Sequence, residues 1–166
     1  MVNQPTKKTE VFLSLGSNID PEENLKYACR ELKKAFGNIQ ISSVYKNKPI
    51  GFEGNDFLNM VVKVKSTFNP NEMLDFIRGL EAATGRDIGT GAFDSRTLDI
   101  DMLLFGSLVH PEKPFKIPRN DIELYSFVLC PLAEIDPDGI HPVTGKTFKD
   151  LWESFDQEEH PLNKVS

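Results

Sequence analysis

Residues 96–106 read RTLDIDMLLFG, an apolar run broken only by two aspartates and bounded by an arginine and a glycine. Its length and its content of Leu, Ile and Phe suit a buried strand better than a helix. Alternate side chains of a strand share a face, so Leu98, Ile100 and Met102 point into a core while Asp99 and Asp101 emerge together on the other side. An unpaired buried carboxylate costs several kcal/mol, about 2–7 on transfer scales even for an uncharged polar group, so the pair requires partners. Two carboxylates on one face, about 7 Å apart along the backbone, can share hard divalent cations such as Mg²⁺. Pairing with arginines or exposure on a solvated face satisfies the D-x-D pattern equally well.

Reading that run as a strand decides the architecture. Upstream, EVFLSLGSN (10–18) is a strand closed by Gly16 and Ser17-Asn18. A helix follows, with Asp20 as cap, Pro21 at the first helical position and Glu23 completing a capping box. Leu25, Ala28, Cys29, Leu32 and Phe36 give it an apolar stripe, and Gly37-Asn38 stops it. IQISSVYKNKPIG (39–51) alternates as a strand and runs into a Pro/Gly loop; DFLNMVVKVKSTF (56–68) is another strand. The same start signals then recur: Asn69 caps, Pro70 opens and Glu72 sits three residues past the cap, with Leu74, Ile77 and Leu80 facing inward and Gly85 ending the helix. The order β-α-β-β-α-β predicts an α+β, ferredoxin-like fold, an antiparallel sheet with both helices on one face. A C-terminal extension adds a short helix near 119–125, an apolar stretch at 127–135 and an amphipathic helix at 145–155. Residues 1–8 are expected to form a disordered leader, 9–155 a single domain and 156–166 a polar, frayed tail.

The 166 residues carry a net charge of −6, which argues against nonspecific nucleic-acid binding. No apolar run approaches the roughly 20 residues needed to span a bilayer, and the polar start lacks a signal-peptide core, so a cytoplasmic location is expected. Cys29 and Cys130 match no metal or redox spacing and read as buried free thiols. His110, His141 and His160 share no ligand spacing and fall in loop or surface segments. The chain has no G-x-x-x-x-G-K-[ST] loop, dinucleotide fingerprint or G-x-S-x-G elbow, so covalent catalysis is not expected. Arg96 lies three residues before Asp99 and Arg86 just past the second helix. Guanidinium groups so placed can neutralise charge in phosphoryl transfer, or simply lie on the surface. Glu81 can orient them or be solvated.

Several stretches together resemble one family, the 6-hydroxymethyl-7,8-dihydropterin pyrophosphokinases of folate biosynthesis. They are FLSLGSN, SSVYKNKPIG, DFLNMVVKV, LEAATGR, SRTLDIDMLLFG and IPRNDIELYSFVLCPLAEIDPD, in the family's order over residues 10–152. The resemblance implies transfer of pyrophosphate from ATP to the pterin's hydroxymethyl group with release of AMP. It implies two Mg²⁺ ions held by Asp99 and Asp101, with ATP as co-substrate. Arg86 and Arg96 match arginines that engage phosphates, and Glu81 matches an acid on the nucleotide side. Phe57 and Phe127 match the two rings that sandwich the pterin; Asn59 matches the residue reading its amide edge, and Asn47 and Ile50 belong to the loop supplying backbone hydrogen bonds.

The chain departs from the family pattern on the nucleotide side. Ile88 and Ala92 stand where arginines are common, and Phe93 where a tryptophan is usual; Arg119 replaces a histidine and Tyr125 an arginine. Lys116 and Arg119 restore positive charge there and are expected to contact ATP. Gly89, Gly91 and Ala92 give the loop at 87–95 pivots for closing over the nucleotide. The resemblance therefore implies an enzyme acting on small-molecule substrates, without nucleic-acid or membrane partners. The alternative is a divergent pterin- or nucleotide-binding paralogue with weak or no pyrophosphokinase activity.

Overall fold

A computed structural model describes residues 7–51, 53–85 and 98–165. An interior strand of the sheet is β1 (Thr9–Ser17), whose Val11, Leu13 and Leu15 are wholly buried. Antiparallel partners lie on both its sides: β4 (Phe57–Ser66) and β5 (Asp99–Phe105). The far side of β4 carries β2 (Gln40–Ile41) and β3 (Tyr45–Asn47), and β3 in turn pairs with β6 (Asn163–Lys164). With β2 and β3 taken as one interrupted strand, the order is the antiparallel ferredoxin-like arrangement expected from the sequence.

Helices α1 (Pro21–Phe36) and α2 (Pro70–Ala83) cover one face. Leu25, Ala28 and Leu32 of α1 share a core with Met73, Ile77 and Leu80 of α2 and with Leu13, Val62 and Ile100 of the sheet. The opposite face buries Phe12, Val61, Leu103 and Leu104 beneath the C-terminal extension. This second layer comprises α3 (Asp121–Leu124), α4 (Ser126–Ile135) and α5 (Phe148–Glu153), contributing Ile122, Leu129, Leu132 and Phe148. Among the described residues no helix is long and apolar enough to cross a membrane.

Local sequence signals and structure part company at three places. Asn69 and Glu72 form the expected capping box, with reciprocal bonds of 2.8 and 2.9 Å. Asp20 instead adopts a left-handed conformation (φ 45°) and makes no side-chain cap bond. The first turn of α1 is tied by Asn24, whose Nδ2 donates to the Ile19 carbonyl at 2.7 Å. The strand read at 39–51 is broken because the Ser42 hydroxyl takes over a rung of the ladder, accepting the Val61 N–H at 2.9 Å and donating to the Ser43 carbonyl at 2.7 Å. The tail expected to fray instead adds β6 to the sheet, and the Val165 N–H donates to the Val44 carbonyl at 2.8 Å.

Leu13 lies where β1 meets both helices, so Leu13→Ala should lower unfolding free energy by about 2–5 kcal/mol in urea titrations, against about 1 kcal/mol for Asn69→Ala.

Candidate active site

The pleat of three neighbouring strands sets the site. Asp99 of β5 lies opposite Gly16 of β1, Gly16 opposite Asn59 of β4, and Asn59 opposite Tyr45 of β3. Residues in register share a face, so these four form a row across the sheet on the side of the C-terminal helices. Asp101 and Ser14 stand in the parallel row behind it. Leu98, Ile100 and Met102 are buried on the helix face, as the alternation requires.

Gly16 is the low point of the row. A β-carbon built there would stand 2.8 Å from Asn59 Oδ1 and 3.9 Å from the Phe57 ring. The missing side chain lets the Asn59 amide lie across β1. Asn59 is 4% exposed and donates through Nδ2 to Asn47 Oδ1, while Asn47 Nδ2 donates to the Lys48 carbonyl at 3.0 Å. The buried Asn18, just past β1, donates through Nδ2 to the Asn55 carbonyl at 3.2 Å and so pins the loop that precedes β4.

The aspartates are electrostatically loaded. Burial, followed by the neighbouring charge of Asp99, pushes the Asp101 carboxyl up to about 7, against the pull of Arg119. Arg119 Nη1 stands 3.7 Å from Asp101 Oδ1, and Nη2 stands 3.3 Å from Asp121 Oδ2. Its backbone is held where β5 bulges: the register shifts by one residue beside Phe12 and Leu13, and the Leu103 carbonyl accepts the Arg119 N–H at 3.0 Å. Arg119 Nε is buried without a hydrogen-bond partner among the described residues. Glu81, only 9% exposed, reaches from α2 to accept the Ile100 N–H at 3.0 Å and anchors the outer edge of the aspartate strand.

Beyond β3 a hollow of about 380 Å³ is lined by Asn47, Ile50, Tyr125 and Phe127 together with residues of the C-terminal segment. Phe127, in the first turn of α4, stacks on Tyr125 with centroids 5.0 Å apart. Ile50 is exposed at the rim, and Phe57 begins β4 beside Asn59. The exposed Lys116 shares another hollow, about 220 Å³, with Arg119, Glu123 and His141. His141 is not a surface residue but 2% exposed; its Nδ1 accepts the Val143 and Thr144 N–H groups, each at 3.2 Å. Burial lowers its pKa, with Glu123 opposing, which leaves it neutral at pH 7. Arg86, Ile88, Ala92, Phe93, Arg96 and the rest of the 87–95 loop lie outside the described residues. Sequence patterns did not single out Gly16, Asn18, Tyr45 or Asp121 as site residues. The signal for the first two was LGSN itself, a turn-like sequence directly after a buried strand.

Among the described residues no group of three or more His, Cys, Asp or Glu could hold a metal ion. The donor set is the Asp99–Asp101 carboxylate pair, with the Asp101 carboxyl held above the usual range, beside the Arg119 guanidinium. That set fits a hard cation whose remaining ligands come from water and a bound phosphate ester.

Comparison with known proteins places these features in context. Residues 12–137 match the family described as 7,8-dihydro-6-hydroxymethylpterin-pyrophosphokinase. A protein of Aquifex aeolicus named 2-amino-4-hydroxy-6-hydroxymethyldihydropteridine pyrophosphokinase is 37% identical over 145 residues, covering 85% of this chain and 89% of its own length. A protein of the same name from Haemophilus influenzae is 33% identical, covering 79% and 84%. The crystal structure of Plasmodium falciparum HPPK-DHPS superposes with a TM-score of 0.73 at 17% identity, a likeness of fold; the match spans 97% of this chain and 48% of that one.

Two outcomes follow from the geometry. Gly16→Ala must displace the Asn59 amide and should cost about 1–3 kcal/mol, measured by chemical denaturation. The raised pKa of Asp101 means that the folded state binds more protons than the unfolded chain between about pH 4 and pH 7. Its contribution to stability is therefore present in full below that window and lost as pH rises through it. Arg119→Gln should move the Asp101 midpoint, followed by carboxyl ¹³C NMR, further upward.

Proposed function

The chain belongs to the 7,8-dihydro-6-hydroxymethylpterin-pyrophosphokinase family, and on that premise we propose that it transfers the pyrophosphoryl group of ATP to 6-hydroxymethyl-7,8-dihydropterin. The hydroxymethyl oxygen attacks the β-phosphorus, the bond from that phosphorus to the α–β bridging oxygen breaks, and AMP leaves. The hydroxyl proton departs to solvent. The observation that carries the reading is the row Asp99–Gly16–Asn59, which puts a phosphate-side carboxylate and a heterocycle-reading amide on one face, two strands apart. Two strand spacings are about 9.5 Å, room for a hydroxymethyl group and the phosphorus it attacks over a glycine floor.

Asp99 and Asp101 would hold two Mg²⁺ ions. Bound there, the ions would neutralise phosphate charge and steady the attacking and leaving oxygens. To hold a cation Asp101 would have to be ionised, so cation affinity would rise with pH through the range near 7. Arg119, released from Asp101, turns its guanidinium to phosphate oxygens while Asp121 keeps a hold on Nη2; Lys116 adds charge nearby. Arg86 and Arg96 serve the phosphates in the same reading, and Glu81 holds β5 in place. On the other side Phe57 and Phe127 grip the pterin ring, a contact worth about 0.5–1.5 kcal/mol per aromatic pair beyond burial. Asn59 offers its amide to the ring's amide edge, and the Asn47–Ile50 loop supplies backbone groups. Catalysis then consists of positioning and charge neutralisation, as phosphoryl transfer requires.

Incubation with the pterin, ATP and Mg²⁺ should yield AMP, and chelation by EDTA should stop its formation. Asp99→Asn and Asp101→Asn should each lower kcat about 10³-fold. Asp101→Asn should nevertheless be at least as heat-stable as the parent at pH 7.5, because it removes a charge that the fold disfavours. Full turnover in both variants would defeat the assignment.

A further inference from the structure

We propose that the C-terminal segment Glu159–Lys164 is the outer wall of the pterin pocket and the brace of the strand that presents Asn47. This rests on the pterin reading of the preceding section and assigns a new set of residues to it. The hollow lined by Asn47, Ile50 and Phe127 is bounded on its far side by Glu159, His160, Pro161 and Asn163. The strand order β4-β3-β6 puts this wall on the side of β3 away from Asn59. Asn59 does not line the hollow itself but reaches it through its bond to Asn47, so a ring seated against Asn47 and Phe127 meets the tail on its far side.

The wall is built rather than draped. Tyr45 pairs with Lys164 and Lys46 with Asn163, so β6 continues the sheet immediately beside Asn47. His160 packs against Phe155 at 5.1 Å, and Phe155 against Trp152 at 5.7 Å, which roots the tail on α5. The Glu159 N–H donates to Asp156 Oδ1 at 3.1 Å and closes the turn between them.

A second network ties the same segment to the opposite side of the pocket. Glu134 of α4 accepts from the Tyr45 hydroxyl at 2.7 Å and from the Ser43 N–H and hydroxyl at 3.0 and 2.8 Å. Lys164 adds its positive charge to that carboxylate. Because α4 also carries Phe127, β6, by pairing with β3, braces the strand with Asn47, and β3 in turn holds the helix with the stacking ring. Without the tail, the hollow opens to water on one side and β3 becomes an unpaired edge of three residues.

The test compares the full chain with a chain ending at Gln157 and with His160→Ala, measuring KM for pterin and for ATP separately, pterin Kd by fluorescence, and melting temperature. The shortened chain should show pterin KM and Kd raised about tenfold with ATP KM within twofold, and His160→Ala a smaller rise of the same kind. Parental pterin constants in the folded, shortened chain would overturn the proposal. So would equal rises in both KM values alongside a lowered melting temperature, the pattern of general stabilisation alone. If the shortened chain does not fold, His160→Ala decides, and an unchanged pterin Kd there overturns it. Absence of AMP from the parent would defeat the activity reading by itself, leaving pterin Kd to decide the role of the tail.

Discussion

Repulsion between Asp99 and Asp101, held on one face of a half-buried strand, is the constraint around which the site is arranged. The strand is kept straight enough to carry them by burial of Ile100 and Met102 on its other face and by Glu81 at its outer edge. Neither support relieves the charge; Glu81 adds to it. Relief comes from Arg119, whose backbone is docked on the bulge at Leu103 and whose guanidinium spans Asp101 and Asp121. The arginine therefore supplies positive charge beside the pair. The stability cost of the arrangement is borne by the two apolar cores on either side of the sheet.

The side around Gly16 and Asn59 follows a different logic, dominated by shape. Gly16 is required by contact: the Asn59 amide fills the volume a side chain would take. The Asn59–Asn47 bond then joins β4 to β3, and the Tyr45–Glu134 bond joins β3 to α4, so the walls of the pocket are linked in series.

Features with a local cause could be read from the sequence. The strand alternation around Asp99 and Asp101 has period two, and the Asn69–Glu72 box lies within one turn; both are present. Features depending on distant partners could not be read. Ser42 interrupts its strand because of Val61, 19 residues away, and Asp20 yields its capping role to Asn24, which no start pattern singles out. The tail is polar, with no apolar signal to mark it as a strand; its order comes from the free edge of β3. His141 was equally hidden, since its burial arises from a turn that folds two N–H groups back onto its ring.

A sheet that is not closed must end somewhere, and each free edge is a template for another chain. Here the outermost strand on the β3 side among the described residues is two residues long and ends on a lysine, Lys164. Short length and a cationic side chain are both deterrents to edge-to-edge pairing. The segment whose Glu159, His160, Pro161 and Asn163 border the hollow thus makes the sheet a poor seed for self-association, a protection that a protein shortened at this end would surrender.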